Sequence, residues 1–199
     1  MTVRLTLCAT AADHRRETVF GDGSPIEHGL CDVDFVEAAL RPNTVIVHAP
    51  SARCAQTAAA LGRESVPELA LRDIDYGTWR GRTVGDVADA DPYGLSAWLK
   101  DPDAAPHGGE SVRQLCVRTQ RWLRSLAPVS ARTLVIAEPT AVRALLVNAM
   151  SLPATAFWHL PASTPVSLAW RDGGWNVESR SARVIRSREP AERSARWRG

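Results

Sequence analysis

Two short runs, Thr44-Val45-Ile46-Val47-His48 and Thr133-Leu134-Val135-Ile136-Ala137, are β-branched or apolar at nearly every position and present no polar face. Strands of that kind must be covered on both sides, as in parallel sheets flanked by helices. Each run leads straight into a helix start. Pro50 and Ser51 open a helix over 52–61, closed by Gly62, and Glu138-Pro139-Thr140 opens another. Pro139 suits the first helical position, where its missing N–H is harmless. Val3-Arg4-Leu5-Thr6-Leu7 alternates and runs into Cys8, which gives a further strand. Gly108-Gly109-Glu110-Ser111 begins a longer helix, with Val112, Leu115, Cys116, Thr119, Trp122, Leu123 and Leu126 at core-facing spacing. Residues 32–40 read as a short helix, 69–79 as a strand or loop entry with a turn at Gly77, and 81–103 as loop plus a short helix. Asp172-Gly173-Gly174 between two apolar runs is a hairpin signal. Strands alternating with helices predict an α/β fold, a three-layer αβα sandwich with a mostly parallel central sheet.

The length of 199 residues suits one domain, assigned to 1–182, followed by an Arg-rich tail over 183–199. The tail holds six arginines and two glutamates against a formal net charge of +2 for the whole chain, so the body is mildly acidic. That balance argues against a nucleic-acid partner, which needs a basic face on the folded body. There is no apolar run long enough to span a membrane, and the N-terminus turns polar too early for a signal peptide. The four cysteines, Cys8, Cys31, Cys54 and Cys116, form no CxxC pair. They read as reduced, buried thiols of a cytoplasmic protein. The five histidines show no metal-binding spacing, so neither metal nor cofactor is expected. The partner expected is a small-molecule substrate or ligand; a homodimer is left open.

In open α/β sheets, ligands bind beyond the carboxyl ends of the strands. Those ends are Cys8-Ala9-Thr10, His48-Ala49-Pro50-Ser51 and Ala137-Glu138-Pro139, joined by Asp73 and by His107 before its helix start. Four segments in the same order resemble the histidine phosphatase superfamily, whose fold is phosphoglycerate mutase-like. Pro50-Ser51-Ala52-Arg53-Cys54-Ala55-Gln56-Thr57-Ala58 is similar to P-L-x-R-A-x-Q-T-A. Residues 71–81, LRDIDYGTWRG, resemble L-R-E-I-D-F-G-x-W-E-G. His107-Gly108-Gly109-Glu110-Ser111 resembles P-G-G-E-S, and 134–145 resemble V-L-V-V-S-H-G-G-V-I-R-A-L.

The resemblance implies a phosphate pocket with two histidines, and the pocket residues depart from it. The R-H-G that ends the family's first strand, with the phosphoryl-accepting histidine, falls on Ala9-Thr10-Ala11. The second family histidine falls on Glu138, the family acid falls on Asp73, and of the phosphate-binding arginines Arg53 stays in place. Thr10 is no activated nucleophile. A carboxylate beside a phosphate is repelled by about 4 kcal/mol at 4 Å and an effective dielectric of 20. Phosphomonoester hydrolysis by the family mechanism is therefore not expected.

Glu138, Asp73 and His107 are the candidate catalytic groups. A close, partly desolvated carboxylate pair splits its protonation between acid and base, and a histidine can shuttle the proton. Arg53, Thr10 and His14 are the candidate substrate-binding residues, His14 because it could swing toward the vacant histidine position. Alternatively Glu138 caps its helix and Asp73 pairs with Arg53. Trp79, Trp98 and Trp158 either line an apolar cavity or pack the core. Two functions follow: a repurposed enzyme doing acid/base chemistry (isomerisation, cyclisation, dehydration or hydrolysis) on a small organic molecule, with a biosynthetic role left open; or a catalytically inactive pseudophosphatase that binds a ligand or partner.

Overall fold

The computed structural model of the protein describes residues 3–10, 18–24, 36, 40–126, 132–161 and 165–178. The unbroken apolar runs become the middle of the sheet. Strand β4 (Arg132–Ala137) is buried at every position after Arg132, so both of its faces are covered. It lies between β1 (Arg4–Ala9) and β2 (Thr44–His48), parallel to both. The two-residue β3 (Val66–Pro67) extends the parallel side at the edge. On the far side β5 (Val166–Arg171) runs antiparallel to β1, and β6 (Gly174–Val177) antiparallel to β5. The sheet order is β3-β2-β4-β1-β5-β6.

Five helices are described: α1 (Ala52–Ala59), α2 (Val84–Ala90), α3 (Pro92–Lys100), α4 (Val112–Leu126) and α5 (Pro139–Ala149). The apolar stripe of α4 is buried as its spacing requires, from Val112 and Leu115 to Trp122 and Leu123. Helix α5 is apolar almost all round, and Ala141, Leu145 and Leu146 are sealed in the core with Leu5, Leu7 and Ile136. The β5–β6 turn places Asp172 and Gly173 at positive φ, the I′-type geometry that matches strand twist and that Asp-Gly favours.

Three expectations change. Residues 81–103 hold two helices: Thr83 and Asp86 close a capping box on α2, and Asp91 caps α3 with Pro92 at its first turn. Residues 69–79 form two short 3₁₀ turns, Leu69–Leu71 and Gly77–Trp79, with no strand pairing. The edge strand β3 has no counterpart in the sequence reading. The helix expected over 32–40 falls largely outside the described residues, and the tail over 183–199 wholly so. No described helix is long and apolar enough to cross a membrane.

Candidate active site

Strand register brings the site together. Cys8 pairs with Ile136 and Ala9 with Ala137, so the next residues, Thr10 and Glu138, leave the sheet side by side. The Thr10 N–H donates to Ala137 O at 2.9 Å, and its hydroxyl donates to Glu138 Oε2 at 2.9 Å. On the other side His48 pairs with Ile136, which sets Ser51, the N-cap of α1, against the same carboxylate. Ser51 Oγ donates to Glu138 Oε1 at 2.8 Å. One helical turn delivers Arg53, with Nη1 3.5 Å from Oε2, and Cys54, with Sγ 3.7 Å from Oε1. Glu138 is only 4% exposed and makes no side-chain bond to the N-terminus of α5. The helix-cap alternative is thus replaced by an inward carboxylate whose two oxygens accept from β1, α1 and Arg53.

Asp73 reaches the same region from the 3₁₀ segment. Its Oδ1 accepts from the Thr140 hydroxyl and from the Ile74 N–H. Thr140 lies on the first turn of α5, two residues after Glu138. Burial pushes the Asp73 carboxyl up to about 6; the Thr140 bond opposes this and the Glu138 charge adds to it. The Asp73–Arg53 pairing does not form, because Arg53 is taken by other acceptors. Its Nη2 donates to Asp22 O at 2.5 Å and lies 3.8 Å from the Asp22 carboxylate, and its Nε donates to Ser24 O at 3.1 Å. With Glu138 on Nη1, the guanidinium is ringed by protein oxygens. Burial, and then the Glu138 charge, push the Cys54 thiol up to about 12, so it is no nucleophile near neutral pH.

His107 sits elsewhere than a pocket rim. It is 1% exposed, with its ring centroid 5.0 Å from Trp79 and 6.1 Å from Trp98. The Gly109 N–H donates to its Nδ1 at 3.0 Å, which puts the ring proton on Nε2, where it has no partner. Burial holds its pKa below the ordinary value, with Asp75 opposing. It belongs to an aromatic cluster with Phe20, Tyr76, Trp79, Trp98 and Trp158. The tryptophans therefore pack the core rather than line a ligand cavity. His14 lies outside the described residues. Among the described residues no cluster of His, Cys, Asp or Glu is arranged to hold a metal ion.

Sequence reasoning singled out Thr10, Arg53, Asp73 and Glu138 and missed Ser51, Thr140 and Asp22 as their partners. Ser51 and Thr140 carried a signal, since both stand at helix starts beyond strand ends. One outcome follows directly. Glu138→Gln removes the negative charge that helps raise Asp73, so the Asp73 titration, followed by carboxyl ¹³C NMR, is expected to move down from about 6. An unchanged midpoint would mean that the two carboxyls do not sense each other.

Residues 34–182 match the histidine phosphatase superfamily (branch 1). A bifunctional protein of Mycobacterium tuberculosis is 28% identical over 141 residues, 66% of this chain and 39% of that protein. The adenosylcobalamin/alpha-ribazole phosphatase of Escherichia coli K12 is 26% identical over 126 residues, 62% of this chain and 60% of that protein. The chain thus spans about two fifths to three fifths of the length of these curated relatives. The native structure of mycobacterial glucosyl-3-phosphoglycerate phosphatase superposes with a TM-score of 0.70 at 19% identity, over 89% of this chain and 98% of that one. With the strand order, the site at the carboxyl ends of β1, β2 and β4, and a match over most of its length, the chain belongs to the histidine phosphatase superfamily, branch 1.

Proposed function

We propose that this protein has left phosphohistidine chemistry and is an acid/base enzyme acting on a small neutral or cationic organic molecule. The observation that carries the reading is a pair of carboxyls, buried Glu138 and half-buried Asp73, each held by its own donors. The Escherichia coli relative and the superposed mycobacterial structure carry phosphatase names. Here the two positions that the family motifs give to histidines hold Thr10 and Glu138, hydrogen-bonded to each other at 2.9 Å. Arg53, the remaining phosphate-binding position, is ringed by Asp22, Ser24 and Glu138 oxygens. A phosphate would have to displace those oxygens and face two carboxyls.

Asp73 is the proton-transfer group. A carboxyl near 6 is mostly ionised at pH 7, takes a proton from an acidic carbon or heteroatom of the substrate, and returns it at a second position or to a leaving group. Thr140 holds Oδ1 and leaves Oδ2 for the exchange. Glu138, fixed by Thr10, Ser51 and Arg53, holds a cationic group of the substrate by charge, and loss of a proton from such a substrate leaves it neutral, with no anion facing the carboxylate. Isomerisation, cyclisation, dehydration and hydrolysis all fit this step.

The test is to incubate a small-molecule cell extract with the wild type, Asp73→Asn and Glu138→Gln, and to follow consumed compounds by mass spectrometry. A compound consumed only by the wild type supports the enzyme. A compound retained by the wild type but returned unchanged supports the pseudophosphatase reading, which the saturated Arg53 favours. Phosphate release from an aryl phosphate is expected to stay at the uncatalysed rate, with no acid-trapped phosphohistidine. Turnover at an ordinary phosphatase rate with a labelled histidine would overturn the proposal, and His14 would be the residue to replace.

A further inference from the structure

A groove of about 600 Å³ runs along the outer face of α4, within the size range of small-molecule sites, and none of the residues around Glu138 lines it. Four arginines do: Arg72, Arg113, Arg118 and Arg121. The carboxylates that face them are too few. Glu110 serves both Arg118, at 2.6 Å, and Arg72, at 3.8 Å. Arg113 pairs with Asp103, and Asp75 on the groove wall is held by Arg80 at 3.4 Å. Arg121 is exposed and makes no ion pair among the described residues. Arg118 and Arg121 stand at i and i+3 on one helix, where like charges repel. Arg118 is fixed as the back wall by Glu110 and by the carbonyls of Ala70 and Arg72, at 2.8 and 3.1 Å, while the side chain of Arg72 is 43% exposed.

We propose that this groove is an anion-binding site, separate from the Glu138 site, for a small ligand with two or more oxyanion charges. Arg121 supplies a guanidinium fork unpaired among the described residues and Arg72 a half-exposed one that shares Glu110 at 3.8 Å, and such forks match carboxylate or phosphate oxygens in pairs. Arg118 lends its field without moving. Gln114 adds a neutral donor, and Val117, 41% exposed, an apolar contact for the ligand's carbon frame. The site does not rest on the acid/base reading, since it shares no side chain with it.

Isothermal titration calorimetry at low salt, with inorganic triphosphate and with citrate as probes, tests the proposal. Saturable one-to-one binding that weakens as salt rises is expected for at least one probe. Binding of triphosphate alone marks a phosphorylated ligand; binding of citrate marks a carboxylate ligand. Arg121→Glu and Arg72→Gln are each expected to weaken binding at least about tenfold, Arg121→Lys to retain part of it, and Arg53→Met to leave it unchanged. Arg121 is exposed on a helix, so its variants keep the wild-type melting temperature and report on the groove alone. Failure of both probes to bind, binding indifferent to Arg121→Glu, or binding abolished by Arg53→Met would overturn the groove assignment.

Discussion

Asp73→Asn is expected to act in opposite directions on turnover and on stability. A positioned acid or base is worth roughly 10²–10⁴-fold in rate, and the amide cannot exchange the proton, so consumption of the substrate found by mass spectrometry should fall by that factor. Stability should rise. A carboxyl whose pKa is about 6 in the fold and near its ordinary value when unfolded binds its proton more tightly in the folded chain. Its stabilising contribution is fully present below the ordinary value and is lost as pH rises through about 6. Above that, the folded chain carries a buried charge, whose removal is worth about 1–3 kcal/mol. The asparagine still accepts from Thr140 and Ile74. Chemical denaturation at pH 7.5 should therefore show the variant more stable than wild type, with the difference vanishing near pH 3.5. A variant less stable at both values would make Asp73 an anchor for Thr140 and no proton-transfer group.

The second large effect is expected at Gly77, four residues further along the same loop. Its φ is +45°, and an added Cβ would overlap the carbonyl oxygen of His107 and lie 2.9 Å from Gly109 N. Both obstacles are backbone, so no side chain can swing away. The left-handed conformation costs about 1–2 kcal/mol and the overlap about 1–3 more. Gly77→Ala is thus expected to destabilise by roughly 3 kcal/mol or more, about 6–12 °C in Tm for a chain of this size. It would also part bonds that join the loops, among them Thr78 N–H to His107 O at 2.9 Å and Glu110 N–H to Asp75 O at 2.8 Å. Gly81→Ala is the control: its φ is +78°, yet a Cβ there meets nothing within 4 Å, so only the backbone penalty remains. Equal losses at the two positions would show that the loops do not touch as described.

What the sequence made legible depends on how local the signal is. β4 and α5 were readable because Thr133–Ala137 has no polar face and Glu138-Pro139 marks a helix start. The hairpin was readable because Asp-Gly names its own turn. Helices α2 and α3 were blurred by Gly85 and Gly94 and by few buried positions, although Thr83, Asp91 and Pro92 were adequate start signals. A strand as short as Val66–Pro67 carries no period at all. At the site, Glu138, Asp73, Arg53 and Thr10 stood out as chemistry at element ends. Their partners did not, because Thr10 to Glu138 spans 128 positions and is set by parallel register, which no local pattern encodes. His107 misled for the same reason: its place before a helix was visible, while the ring packing that seals it comes from Phe20, Trp79 and Trp98, distant in sequence.

The two-residue edge strand has a consequence for how copies of this protein meet. An exposed sheet edge is an invitation to a neighbour's strand, and proteins answer it by shortening or blunting the edge. Here the parallel margin ends in Val66 and Pro67, and proline has no N–H to offer a further strand. Val66, Leu69 and Val45 are nonetheless exposed around it, at 58%, 67% and 49%. Association at this margin is thereby restricted to side-chain contact, which can stop at a pair, and denied the backbone ladder by which sheets grow from one molecule into the next.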